Sequence, residues 1–118
     1  MAVKLENEYG YIYINSEVIS SIAGAAAMEC YGLVGMASKS AAGGIVKLLK
    51  RENLSKGVKV HIEENYVIID LFVIVQFGTK ISVVAQNIID RVKYSVEEQT
   101  GLKVKKININ IEGVRVQA

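Results

Sequence analysis

The sequence predicts an α+β fold, a two-layer sandwich in which two main helices cover one face of a mixed four-stranded sheet. Several short segments alternate apolar and polar residues as half-buried strands do, and two longer segments repeat apolar residues at helical spacing. The resulting order is strand, helix, linker, strand, strand, helix, strand. With 118 residues, 51% of them hydrophobic, the chain is long enough to form the core of a single domain over residues 1–118.

The first strand and the first helix fall within residues 9–32. Residues 9–14 alternate tyrosines with glycine and isoleucines, which predicts a strand with two different faces. Asn15 or Ser16 then offers a helix N-cap, and the helix should end near Gly32. Its apolar stripe includes small residues that allow close packing on a sheet, and it consists of Ile19, Ile22, Ala23, Ala26 and Cys30.

The second half of the chain predicts two strands, a helix and a final strand. Apolar residues alternate over residues 58–62, and a longer strand runs over residues 66–77. Thr79 is expected to cap the second helix and Gly101 to close it. The apolar stripe of this helix is Ile81, Val84, Ala85, Ile88, Val92 and Val96. Isoleucines at 107, 109 and 111 then alternate with polar residues, as one face of a strand requires.

Residues 33–57 are expected to form a flexible or partly helical basic linker. Glycines interrupt this segment, and its residues 45–49 could form a short amphipathic helix. Over residues 39–59 six basic residues oppose only Glu52, although the whole chain has a net charge of +2. The segment therefore either meets an anionic partner or is a solvated connection. The residues that would contact an anionic partner are Lys47, Lys50, Arg51 and Lys56.

The long strand should have two apolar faces. Its odd-numbered residues from Val67 to Phe77 are all apolar and should face the helices. Its even-numbered face, joined by tyrosines of the first strand, would be a larger apolar patch than a monomer usually exposes. We therefore expect this face to bind a partner protein through Tyr11, Tyr13, Tyr66, Ile68, Asp70, Phe72 and Ile74. Asp70, flanked by apolar residues, either pairs across the sheet or lines that interface.

The chain offers little that could support catalysis or metal binding. Cys30 and His61 are the only pair that could act as nucleophile and base. Cys30 falls on the buried helical stripe and His61 on the outer sheet face, so we do not expect them to meet. One histidine and one cysteine also fall short of the four ligands of a structural zinc site. The sequence thus predicts a protein that is not an enzyme and has no cofactor or metal.

A nucleic-acid-binding function is the alternative interpretation. Residues 32–35 match the GxxG loop with which KH domains clamp a nucleic-acid backbone, and the basic segment 39–59 follows it. The two residues between the glycines are Leu33 and Val34, where a clamping loop should carry lysine or arginine. Helix termination explains the same glycines, so nucleic acid is not the expected partner.

The expected location is the cytoplasm. The N-terminal residues lack the apolar core of a secretory signal, and the single cysteine fits a reducing compartment. The strongest apolar run, over residues 66–77, is interrupted by Asp70 and Gln76 and is shorter than the roughly 20 residues of a spanning helix. Direct membrane insertion is therefore not expected.

Several ordered segments together resemble the alkaline shock protein family, small general-stress proteins of Gram-positive bacteria. They are GYIYI (10–14), EVI (17–19), IAGAA (22–26), GVKV (57–60), VIIDL (67–71), QFG (76–78), TGL (100–102) and INIEGV (109–114). The resemblance implies a cytoplasmic, non-enzymatic protein of the cell-envelope stress response. It also implies a homo-oligomer that is held at the membrane by an anchored partner of related sequence. The family supplies no catalytic residues to carry over.

Overall fold

The computed structural model describes residues 2–38, 49, 51–64 and 66–116, without the side chains of residues 51–53. The helices are α1 (Ser16–Met28) and α2 (Ile81–Thr100), and a 3-10 helix spans Arg51–Gly57. The strands are β1 (Ala2–Asn7), β2 (Gly10–Asn15), β3 (Leu33–Met36), β4 (Val58–Glu63), β5 (Tyr66–Gln76) and β6 (Lys103–Arg115). The predicted α+β class with a mixed sheet is confirmed.

Strand β5 is the centre of the main sheet. Along one edge it pairs in parallel with β6 from Tyr66 to Gln76. Along the other edge it pairs antiparallel with β4 over residues 66–71 and with β3 over residues 73–75, so β3 and β4 lie end to end. Gly57 precedes β4 at this junction, where a Cβ atom would lie only 2.7 Å from the carbonyl oxygen of Ala37. A larger residue there would push the two strands apart.

The core lies between the helices and the odd-numbered face of β5, as the sequence predicts. Val67, Ile69, Leu71, Val73 and Val75 are fully buried and share one cluster with residues of both helices. The helical members of the cluster are Ile19, Ala23, Ala26, Ala27, Val84, Ile88, Val92 and Val96. Burial of each large aliphatic side chain stabilises the fold by about 1.5–3 kcal/mol, before the entropy of ordering it is subtracted.

Two apolar residues between the end of β5 and the first residue of α2 depart from the predicted core. Phe77 follows the end of β5 in a turn and is 67% exposed. Ile81 is the first residue of α2 and is also largely exposed. The alternation of core-facing and outward-facing side chains therefore ends with β5, because the turn that follows directs Phe77 away from the core.

The helix ends confirm two of the predicted caps and correct the third. The Asn15 side chain accepts a hydrogen bond from the backbone N–H of Glu17, and Gly101 closes α2 with φ +77°. Thr79 does not cap α2. Its hydroxyl donates to the carbonyl oxygen of Gln76 at 2.7 Å, and Lys80 occupies the cap position without a side-chain hydrogen bond. The Thr79 hydroxyl thus stabilises the turn after β5 and not the N-terminus of α2.

The predicted first strand lies outside the main sheet. It is β2, which pairs antiparallel with β1 from Ala2↔Asn15 to Asn7↔Gly10 to form a separate hairpin. The four strands of the mixed sheet are instead β3, β4, β5 and β6. β1 alternates apolar Val3 and Leu5 with charged Lys4 and Glu6, the pattern of a half-buried strand, but it was not among the predicted strands.

Part of the expected linker has regular structure. Its first residues form β3, and its last form the 3-10 helix that packs against α1 at Gly24 and Leu54. Leu49 donates its backbone N–H to the carbonyl oxygen of Met36. Apart from Leu49, the residues proposed for a short amphipathic helix lie outside the described residues.

Candidate interaction surface

The outer face of the main sheet carries a polar network around Asp70. Asp70 Oδ2 lies 3.2 Å from His61 Nε2 on β4, and Asp70 Oδ1 accepts a hydrogen bond of 2.7 Å from Asn108 Nδ2 on β6. One carboxylate therefore joins three adjacent strands. Of the two roles predicted for Asp70, the structure shows cross-strand pairing, and it places His61 on the outer face as expected.

A second polar contact lies at the beginning of β5. Lys105 Nζ donates to the Tyr66 hydroxyl oxygen at 3.2 Å and sits 4.6 Å from the centre of the Tyr66 ring. The hydrogen bond to Tyr66 raises the pKa of the Lys105 ammonium group above its ordinary value. Tyr66 is thus already engaged by its own chain.

The apolar residues of this outer face are less available than the sequence predicts. Ile68 and Phe72 are half-buried. Ile74 is fully buried, so its assignment as a partner-binding residue is wrong. The physical reason is that β5 is the central strand, so that other strands lie along both of its edges: Ile74 lies between Gly35 of β3 and Gly113 of β6, and Phe72 lies beside Asn110 of β6.

Tyr11 and Tyr13 lie on a different surface from the other predicted partner-binding residues. They project from β2 in the hairpin and are 62% and 65% exposed. Their rings contact edge to face with centres 6.1 Å apart, and Lys4 Nζ lies 4.7 Å from the centre of the Tyr11 ring. The predicted continuous face of tyrosines and β5 residues is therefore divided between two sheets.

The two faces of the hairpin differ sharply. Val3, Leu5 and Ile14 on one face pack against the main core, and Val3 is buried. By the pairing register, Tyr11, Tyr13 and Lys4 share the opposite face. Tyr9, at the hairpin tip, is 91% exposed. We call the surface formed by Lys4, Tyr11 and Tyr13 the tyrosine face.

The basic segment is only partly described. Lys56 is exposed at the end of the 3-10 helix. Only the backbone of Arg51 is described, and Lys47 and Lys50 lie outside the described residues. The GxxG pattern does not form an exposed loop, because Gly32 and Gly35 are both buried and Gly35 belongs to β3.

Cys30 lies between the two helices, away from the outer sheet face that carries His61. It is half-buried, and its Sγ lies 3.8 Å from the carbonyl oxygens of Ala26 and Asn87. Burial raises the pKa of the thiol, and the opposing effect of Arg91 is smaller. Cys30 also lines an open cleft of about 480 Å³ that sequence reasoning missed.

The cleft lies between the end of α1 and the middle of α2. Tyr31 and Tyr94 line it and are exposed, and Arg91 pairs with Glu29 across it at 3.4 Å.

Within the described part of the chain, no group of three histidine, cysteine or acidic side chains could hold a metal ion. Neither described α-helix combines the length and apolar content needed to cross a bilayer.

Comparisons with known proteins identify the family. A model for the alkaline shock protein 23 family, described as having a cell envelope-related function, matches residues 4–116. The chain is 48% identical over 117 residues to the uncharacterized protein YloU of Bacillus subtilis strain 168, covering 98% of both chains. It is 38% identical over 117 residues to the uncharacterized protein Spy1614 of Streptococcus pyogenes serotype M6, covering 98% of this chain and 97% of the other.

The solved structures add a likeness of fold. The structure of MamM-CTD superposes with a TM-score of 0.50 and 11% sequence identity, covering 87% of this chain and 100% of that chain. At this level of identity the likeness concerns the fold alone. The family match instead spans the segments on which the sequence resemblance rests, and that resemblance is confirmed. The chain belongs to the alkaline shock protein 23 family, whose function is related to the cell envelope.

Proposed function

We propose that this protein is a non-enzymatic cytoplasmic adaptor of the cell envelope, which binds copies of itself and a membrane-anchored protein of related sequence. The observation that carries this proposal is the tyrosine face of the hairpin. Its aromatic side chains are exposed, whereas Val3, Leu5 and Ile14 on the other face of the same hairpin pack on the core. The family's cell envelope-related function supplies the cellular context.

The tyrosine face has the composition of a protein-binding surface. Tyrosine is enriched at protein interfaces because its ring buries a large apolar area while its hydroxyl group still finds a hydrogen-bond partner. Tyr11 and Tyr13 contact each other, and Lys4 lies over one of the rings. These contacts restrict the side chains before binding. The side chains therefore lose less conformational entropy when a partner binds.

The outer face of the main sheet is the less suitable of the two surfaces. Asp70 and Tyr66 already bond to groups of their own chain, and Ile74 is fully buried. A partner binding there would have to displace existing hydrogen bonds. Tyr11 and Tyr13 are instead 62% and 65% exposed, so we assign membrane-partner binding to the hairpin.

The proposal is tested by capturing partners with a Tyr11→Ser/Tyr13→Ser variant. Purified protein is immobilised and incubated with detergent-solubilised membranes of the source cells, and bound proteins are quantified by mass spectrometry. The wild type should retain a membrane protein of related sequence. The amount retained by the variant should be about tenfold or more lower, since tyrosines at interface centres commonly contribute over ~1 kcal/mol each to the binding free energy.

A Tyr31→Ser/Tyr94→Ser variant is the matched control, because it removes two exposed tyrosines from the cleft instead. It should bind as the wild type does, and thermal unfolding should show both variants folded. Equal capture by the hairpin variant and the wild type would exclude the tyrosine face. Failure of the wild type to retain any related membrane protein would contradict the adaptor function.

A further inference from the structure

Strand β6 has an open edge along the main sheet. Among the described residues it pairs only with β5, on one side. It spans 13 residues, more than any other strand that the structure describes. An unpaired edge of this length presents backbone N–H and C=O groups that can pair with another strand.

The centre of β6 is symmetric in sequence. Residues 106–112 read Lys-Ile-Asn-Ile-Asn-Ile-Glu, so the residues on either side of Ile109 match except for the opposite charges at the two ends. In an antiparallel pair, a strand with this pattern is complementary to itself. Centred on Ile109, the pairing sets isoleucine opposite isoleucine, asparagine opposite asparagine, and Lys106 opposite Glu112 of the second copy.

The faces of β6 also match under this pairing. Ile107, Ile109 and Ile111 lie beside Ile69, Leu71 and Val73 of β5, on the core side of the sheet. The three β5 residues are fully buried, whereas Ile109 and Ile111 remain partly exposed. A second strand along this edge would cover the exposed part of both isoleucines, and their burial is favourable.

Irregularities limit the length of the regular edge. The register with β5 shifts between Val104 and Lys106 and again between Ile111 and Gly113. β-bulges twist a strand and interrupt its pairing. The regular stretch, residues 106–111, therefore lies within the symmetric segment, and Glu112 adjoins its end, which favours one register over the alternatives.

We infer that β6 is the self-association edge of this protein. Two copies pair antiparallel through residues 106–112 about a two-fold axis at Ile109 and join their main sheets into one. This inference deepens the self-association part of the proposed function and rests on it. It concerns a surface other than the tyrosine face, so the two can be tested separately.

Charge reversal at the ends of the segment tests the register. Lys106→Glu places two glutamates opposite each other at both ends of the pair, and Glu112→Lys places two lysines opposite each other. Sedimentation velocity over a range of concentrations should show each variant dimerising about tenfold or more weakly than the wild type, since opposed like charges destabilise a strand pair. The Lys106→Glu/Glu112→Lys double variant should return to wild-type affinity.

Mixing the two single variants provides a second test that needs no double variant. In the mixed pair every glutamate at position 106 or 112 of one copy faces a lysine of the other copy, so the mixture should dimerise more tightly than either variant alone. Lys93→Glu, on the exposed face of α2, is the matched control for net charge. Alone it should dimerise as the wild type does, because it carries the same change of charge as Lys106→Glu but keeps Lys106 and Glu112.

Three outcomes would overturn the inference: a wild type that stays monomeric at millimolar concentration, single variants that dimerise as the wild type does, or a mixture that recovers nothing. Partner capture by these variants separates the two proposals. If they still retain the membrane protein while their self-association is unchanged, only the β6 edge is refuted.

Discussion

Gly32 offers a sharp test of how backbone conformation and packing combine in this fold. It lies in the turn after α1 with φ +88°, and a Cβ atom there would lie 2.6 Å from Cγ2 of Val84. A side chain in this left-handed region costs about 1–2 kcal/mol, and overpacking a rigid core typically costs about 1–3 kcal/mol more. We therefore expect Gly32→Ala to lower the free energy of unfolding by about 2–5 kcal/mol.

Gly78→Ala separates the two contributions. Gly78 has φ +91°, nearly the value at Gly32, but no atom lies within 4 Å of its added Cβ. Gly78→Ala should therefore lower the free energy of unfolding only by the cost of a side chain in the left-handed region, about 1–2 kcal/mol. Replacing Val84 with alanine first should then remove the clash, so that Gly32→Ala in that background costs no more than Gly78→Ala does.

Urea denaturation followed by circular dichroism measures all of these proteins, with the free energy of unfolding obtained by linear extrapolation. The reasoning fails if Gly32→Ala and Gly78→Ala are equally destabilising. It also fails if the Val84→Ala background leaves the cost of Gly32→Ala unchanged, because the close contact would then not be its cause.

The remaining predictions concern individual side chains. Asp70→Ala should lower the free energy of unfolding by about 1–2 kcal/mol, since it removes the contacts to both Asn108 and His61 from a side chain that is only 21% exposed. His61→Ala should cost less than about 1 kcal/mol, because it removes one contact and the His61 side chain is 46% exposed. Equal costs in urea denaturation would contradict this. Burial raises the pKa of the Cys30 thiol, so the folded chain contains less of the reactive thiolate than the urea-unfolded chain. Iodoacetamide at about pH 8 should therefore alkylate Cys30 more slowly in the folded chain. For the same reason the free energy of unfolding should fall as the pH rises past the ordinary thiol pKa. Arg91→Ala should slow alkylation further, because Arg91 lowers that pKa, and a faster reaction would contradict the assignment.

The sequence was sufficient to locate both helices, the central strand and most of the core, although α1 ends at Met28 and not near Gly32. The helical period in α2 and the alternation in β5 both reflect burial, and Val84, Ile88, Val67 and Ile69 are buried as expected. Such patterns extend over many residues. A local irregularity therefore does not obscure them.

The pairing of strands could not be predicted from such sequence patterns. The tyrosines of β2 alternate correctly, but alternation does not say which strand lies beside them, and β1 proved to be their neighbour. The burial of Ile74 was missed for a related reason, since its even position in β5 suggested an open face. The polar network of Asp70 likewise depends on His61 and Asn108 being aligned by the register of three strands.

The position of β6 has a consequence for the newly made chain. In the described part of the chain, one edge of β5 is completed by β6 alone, which follows it after the whole of α2. At ~5–20 residues per second a ribosome needs about 2–8 s to proceed from Gln76 to Arg115. For that time the most apolar strand of the protein has no neighbour on one side, and nascent chains on adjacent ribosomes could join there. Slow translation of this interval should therefore increase the demand for chaperones.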